Sequence, residues 1–186
     1  VTSGQVTMSS CSQHLSSAGQ REISLRNQHV RVSIQPDAGG KITDLINQRS
    51  ARNWLWCNPH LPTGKSRYGV DYGRELDSGG WDEVLLSMSP STLTLGDGLL
   101  RHIPDHGDVV GQSWQVLDAS VTADGAAICD MTVSGRALQY EFRRIITLGN
   151  DNSHLDVSYS LTNGEAFALP WYWSMHALLP AQPDLQ

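Results

Sequence analysis

The chain has 186 residues, of which 39% are hydrophobic and 17% charged, a balance that suits a globular domain with a sizeable core. A formal net charge of −6, with no block of Lys or Arg, gives a phosphate backbone little to hold and argues against a nucleic-acid partner. No apolar run approaches the roughly 20 residues that cross a bilayer, so a membrane partner is not expected.

The first 20 residues, "VTSGQVTMSSCSQHLSSAGQ", are polar and lack the charged and apolar regions of a signal peptide. They read as a disordered lead-in to a single domain over 21–186. The cysteines, Cys11, Cys57 and Cys129, are odd in number, widely spaced and without a CxxC pair. This pattern argues against a disulfide framework or a structural zinc site and favours a reducing, cytoplasmic compartment. Cys129, within "AAICDMTV", reads as a small apolar packing residue.

From residue 21 onward the local signal is period-two alternation broken by turn residues. A first strand is expected over 21–26. In "HVRVSIQP", Val30, Val32 and Ile34 point one way while Arg31 and Ser33 point the other. Further strands are expected over 40–46, 82–88, 113–118 and 126–133. "LQYEFRRIITLGND" alternates through Leu138, Tyr140 and Phe142 before its phase weakens, and "HLDVSYSLTNG" alternates throughout. Turn chemistry separates these runs in "PDAGG", "ADG", "LGNDN" and "TNGE", and helical periodicity is absent. Short strands without helical crossovers predict an all-β fold of mostly antiparallel sheets, a sandwich or barrel.

Two longer irregular segments, 52–81 and 96–113, interrupt the strands and are rich in Trp, Tyr, His, Asp, Glu and Arg. Loops of this kind on a β scaffold are where sites are built. The mixture suits a polyhydroxylated ligand, whose C–H face stacks on aromatic rings while charged groups bind its hydroxyls.

Within the second segment, "PDHGDVVGQSW" places His106 between Asp105 and Asp108 in a glycine-bounded turn. His102 and His106 have the four-residue spacing of a helical metal pair, but Pro104 and Gly107 oppose a helix, and no metal site is expected. A carboxylate neighbour can fix the tautomer of His106 for proton transfer, whereas a solvent-facing turn is the plain alternative. "LDSGGWDEVLLSMSP" offers Trp81 as a stacking platform, followed by Asp82 and Glu83. Neighbouring strand residues face opposite ways, so at most one of those acids can face a given pocket. The chain closes on "FALPWYWSMHALLPAQPDLQ", where His176 ends an apolar strand carrying Trp171, Trp173 and Met175. Such a strand needs partner strands to cover it, and the chain is expected to be a piece of a longer protein.

Taken in order, "NQHVRVSIQPDAGGKITDL", "DSGGWDEVLLSMSP", "IPDHGDVVGQSW", "YEFRRIITL" and "LPWYWSMHALLP" resemble the galactose mutarotase-like superfamily of aldose 1-epimerases and their relatives, over residues 22–180. The resemblance implies an antiparallel β-supersandwich, incomplete in this chain, with a small-molecule sugar bound on one open sheet face. It implies that His106 and His176 are the catalytic pair around the sugar ring, with Arg74, Trp81, Glu83 and Asp105 shaping the substrate site. The implied reaction interconverts α and β anomers by acid/base ring opening and needs no cofactor, because only protons move. The family's base is a Glu downstream of the second histidine, and no Glu follows His176 here. Two alternatives stay open: a non-catalytic carbohydrate-binding or regulatory domain, and a glycoside-processing site pairing Asp82 or Glu83 with Asp105.

Overall fold

The structure is a computed structural model that describes residues 8–16 and 19–181. Alternation in the sequence becomes two packed sheets. The larger orders its strands β1 (Ser10–Leu15), β2 (Arg21–Arg26), β3 (Val30–Gln35), β4 (Lys41–Asn47), β6 (Trp81–Leu85) and β13 (Trp173–Ala177), with the short β5 (Arg52–Asn53) beside β4. The second orders β12 (Leu155–Asn163), β11 (Tyr140–Leu148), β10 (Ala127–Ser134) and β9 (Gln115–Val121). A separate hairpin joins β7 (Ser91–Thr94) to β8 (Leu100–Ile103). Every ladder is antiparallel. The only helical pieces among the described residues are a 3-10 turn at Pro36–Ala38 and α1, a single turn at Tyr72–Glu75. Among the described residues no helix is long and apolar enough to cross a membrane.

The expected strands are all present, with ends displaced by a few residues. The lead-in differs from expectation. Residues 10–15 form β1, which pairs with β2 from Ser10 opposite Arg26 to Leu15 opposite Arg21. Polar sequence hid this strand because it lies at the sheet's edge with most of its side chains in solvent. Residues 1–7, 17 and 18 lie outside the described residues. The hairpin of β7 and β8 was also unread, since "STLTLGDGLLRHI" carries few inward residues beyond Leu95 and Ile103.

Between the sheets, Ile23, Leu25, Val32, Ile34, Ile42 and Leu85 meet Cys129, Met131, Phe142, Ile146 and Leu148. Each comes from the inward set of its strand, so the two-residue period alone decides which side is dry. In β11 the inward set runs Tyr140, Phe142, Arg144, Ile146, Leu148 without a break. Its phase weakens in the sequence only because the third inward position is an arginine.

That arginine is fully buried and meets the fully buried Glu83 of β6, with Nη1 donating to Glu83 Oε1 at 2.8 Å. Its second terminal nitrogen donates to the Gly40 carbonyl, and the guanidinium lies 5.0 Å from the Trp114 ring centroid. Tyr159 of β12 donates to Glu83 Oε1 at 2.8 Å, and Trp173 Nε1 of β13 donates to Oε2 at 2.9 Å. One carboxylate thus ties β6 to β11, β12 and β13. Next to this network, a cleft of about 430 Å³ opens between β12 and β13, lined by Phe142, Leu161, Leu169 and Trp171 among others. Trp171, expected to be buried, is 64% exposed, and Met175 is also exposed.

Removing one partner of a buried ion pair strands the other charge and costs about 3–5 kcal/mol. Arg144→Met and Glu83→Leu, each alone, are therefore expected to lower the melting temperature by on the order of 10 °C. The double substitution should cost clearly less than the sum, because neither charge is then left alone. Additive losses in calorimetry would show that the pair does not act as a unit. A second check concerns Cys129, whose thiol is pushed up to about 12 by burial. A thiol reagent at neutral pH should label the exposed Cys57 in the native protein but Cys129 only after unfolding.

Candidate functional site

The register between β6 and β13 settles which groups share a face. His176 stands opposite Asp82 and Met175 opposite Glu83, so His176 and Asp82 lie together on the outer face while Trp81 and Glu83 turn inward. Immediately beyond β8, residues 104–107 form a tight turn in which Gly107 N donates to Pro104 O at 3.0 Å. His106 adopts a positive φ of 58° and Gly107 one of 86°, and Gly107 bridges to Leu85 at the end of β6. A Cβ on Gly107 would lie 2.0 Å from the Leu85 carbonyl oxygen, so the backbone approach needs glycine. A histidine held in the left-handed region is uncommon and marks a place where the surroundings dictate conformation.

This turn delivers the His106 ring to within 5.3 Å of the His176 ring, at an interplanar angle of 69°. Tyr72 of α1 packs against both. Its ring stacks on His106 at 3.7 Å and 15°, and meets His176 edge-on at 5.7 Å. Asp71 caps α1 by accepting from Arg74 N at 3.1 Å, which fixes the turn that inserts Tyr72. The three rings come from three distant chain segments and pack as one cluster, with Tyr72 buried and the two imidazoles partly open to solvent.

Beneath the rings lies a second charge pair. Asp82 is 1% exposed, and its Oδ2 accepts from Lys41 Nζ at 2.6 Å and from the Tyr72 hydroxyl at 2.7 Å. Lys41 uses its remaining donors on the Gly79 carbonyl at 2.8 Å and the Leu76 carbonyl at 3.3 Å. Asp82 Oδ1 is buried without a partner. The Tyr72 hydroxyl also lies 3.2 Å from His176 Nδ1. Burial first, and then the Asp82 carboxylate, push the Tyr72 hydroxyl far above its ordinary range, so it stays protonated.

On the other side of the turn, Asp108 is fully buried and accepts from the Tyr140 hydroxyl and from Arg136 N, both at 2.9 Å. It also accepts from the Tyr68 hydroxyl and from Ala137 N. This carboxylate pins the residues after His106 to β11 and to the loop before it. Burial and Asp108 together hold the Tyr68 and Tyr140 hydroxyls far up as well.

Of the residues singled out from the sequence, the structure gathers His106, His176 and Asp105. Asp105 Oδ1 lies 3.0 Å from His106 Nδ1, with both side chains partly open to solvent. Glu83 is elsewhere: it faces the interior and all its contacts hold the sandwich together, so it does not reach the outer face. Trp81 likewise turns inward, half-buried against the core, with its indole nitrogen unpartnered. The Arg74 side chain is 86% exposed and lies beside Asp71, with Nε 3.6 Å from its carboxylate. With Glu83 enclosed and Asp82 held by Lys41 and Tyr72, the glycosidase pairing of two free carboxylates has no geometry to support it.

Tyr72 and Lys41 were not anticipated, and Asp108, expected as a neighbour able to orient His106, instead holds Tyr140, Tyr68 and the loop before β11. Neither Tyr72 nor Lys41 carries a local sign of its role, because each is recruited by contacts across long sequence separation. Asp82 could be narrowed by alternation to one of two acids, but which one faced outward needed the register. His102 pairs with Thr92 across the hairpin, at 3.0 Å between Nδ1 and Oγ1. No three His, Cys, Asp or Glu side chains converge as a cation site among the described residues.

Comparison with known proteins finds no matching family model and no matching curated protein. Solved structures do share the fold. A TPR-domain containing protein from Parabacteroides distasonis superposes with a TM-score of 0.60 at 18% identity, over 89% of this chain and 25% of that one. A galactose mutarotase-like protein from Lactobacillus casei superposes with a TM-score of 0.59 at 16% identity, over 84% of this chain and 49% of that one. The chain thus spans about a quarter and about half of these two structures. At such identities the likeness is one of fold: this is an antiparallel β-sandwich that shares its fold with part of a galactose mutarotase-like protein.

Proposed function

We propose that the chain binds a sugar against the partly open His106 and His176 rings, which the buried Tyr72 backs, in the manner of aldose 1-epimerase-like proteins. The observation that carries this reading is the convergence of two imidazoles, 5.3 Å apart, from a strained turn and a separate strand. Imidazoles donate and accept hydrogen bonds near neutral pH, which suits both sugar hydroxyls and a ring oxygen. Mutarotation would proceed by removal of the anomeric hydroxyl proton and protonation of the ring oxygen. The bond between the anomeric carbon and the ring oxygen then breaks to give the open-chain aldehyde and re-forms on the other face, with no redox step and no covalent bond to the protein. His106 is the proposed acid, oriented by Asp105, and His176 is its partner across the ring. Arg74, on the exposed side of α1, is a proposed outer contact for hydroxyls.

A binding role without chemistry is the second reading, and one feature favours it. The carboxylates next to the rings, Asp82 and Asp105, are engaged by Lys41 with Tyr72 and by His106, so neither is a free base.

Freshly dissolved single-anomer aldoses distinguish the two. Calorimetric titration is expected to show binding that falls on the order of tenfold in His106→Ala or His176→Ala, the scale of one lost hydrogen bond. Optical rotation of the same mixtures reports catalysis. Binding without faster anomer exchange supports the binding role, whereas absence of binding to any aldose rejects the sugar site altogether. Gly107→Ala should mimic the loss of His106, because the added methyl group displaces the turn from Leu85. An unaltered affinity in that variant would show that the position of the His106 ring does not matter.

A further inference from the structure

The hydrogen-bond polarity of the buried cluster fixes something the ring positions alone do not. Asp82, in contact with the Lys41 ammonium at 2.6 Å, is an ionised carboxylate and can only accept. Lys41 itself has its three donors directed to Asp82, Gly79 and Leu76, so it contributes nothing further. The Tyr72 hydroxyl has a single hydrogen, and the strongest acceptor within reach is Asp82 Oδ2 at 2.7 Å. With that hydrogen committed, the phenolic oxygen faces His176 Nδ1, 3.2 Å away, with only lone pairs. Two lone pairs in contact repel, so the nitrogen must supply the proton.

We propose that Lys41, Asp82 and Tyr72 form a positioning relay that locks neutral His176 in its Nδ1–H tautomer and leaves Nε2 as a bare acceptor. This deepens the sugar-site reading, on which only its functional consequence rests. The consequence is that His176 receives a ligand hydroxyl proton at Nε2 instead of offering one. In a free histidine side chain the Nε2–H form is the preferred tautomer, so the relay works against the intrinsic bias. Tyr72 is the residue through which the buried charge pair acts, and it meets the histidine edge-on with its oxygen toward Nδ1. His106 has a different partner, since its Nδ1 faces a carboxylate directly at 3.0 Å.

The tautomer is read directly from protein carrying 15N-labelled histidine. Long-range proton–nitrogen correlation is recorded at a pH where the imidazoles are neutral, and the His176 signal is assigned by its loss in His176→Gln. The expected pattern is a protonated Nδ1 and an unprotonated Nε2 in the unmodified protein, with no sugar present. Tyr72→Phe, which removes the acceptor and keeps the ring stacked on His106, should move most of the signal to the Nε2–H form. An Nε2–H tautomer in the unmodified protein overturns the relay even if Tyr72→Phe fails to fold. An unchanged tautomer in a folded Tyr72→Phe protein, judged by its circular dichroism, overturns it equally. Sugar titration is independent of both signals, so failure of the sugar site and failure of the relay are told apart.

Discussion

The arrangement depends on two adjacent carboxylates in β6. Asp82 and Glu83 are both buried, and the strand's alternation sends them to opposite faces of the same sheet. An isolated buried carboxylate would be prohibitively costly, and each here has its own buried cation: Lys41 outside and Arg144 inside. The inner pair ties the two sheets together, and the outer pair forms the floor beneath His106, Tyr72 and His176. A shift of β6 by one residue would turn each acid to the opposite face, so that one buried cation would meet the other acid and the second would meet Val84 or Trp81 in place of a carboxylate. Register is therefore specified by charge as well as by hydrophobic pattern.

From this fixed strand the rest of the site follows as a set of close backbone approaches. β13 pairs with β6 and brings His176 opposite Asp82. Leu85, at the far end of β6, receives Gly107 and so aims His106. On the opposite flank, Gly79 lies so near the Trp56 carbonyl that a Cβ would sit 2.2 Å from it. That contact closes the 52–80 loop over the sheet, and its carbonyl at Gly79 then serves Lys41. The loops that carry Tyr72 and His106 are thus fastened near the two ends of one strand.

Much of the sandwich could be read from sequence, because period-two alternation and turn residues are local signals. His106 and His176 were legible as a pair through their aromatic settings and the mutarotase-like motif order. What failed was the assignment of side chains to faces. Trp81 and Glu83 belong to a motif that looks like a site, yet both lie on the dry side of β6. Arg144 shows the same limit from the other direction: an arginine in a strand reads as outward until its partner is known. β1 escaped because an edge strand with a polar face carries no hydrophobic alternation to detect.

The two histidines also differ in how much the fold constrains them. His176 is held within a regular strand, and its Nδ1 faces a hydroxyl whose own hydrogen is turned toward a buried anion. His106 sits in a left-handed turn, stacked on Tyr72 and paired with a partly exposed Asp105. A rigid acceptor opposite a solvent-accessible, carboxylate-oriented partner is an asymmetric arrangement, although the two residues are chemically identical. The asymmetry comes from what lies behind each ring, so the distinction between the two imidazoles is set by the buried charges of β6 and not by the histidines themselves.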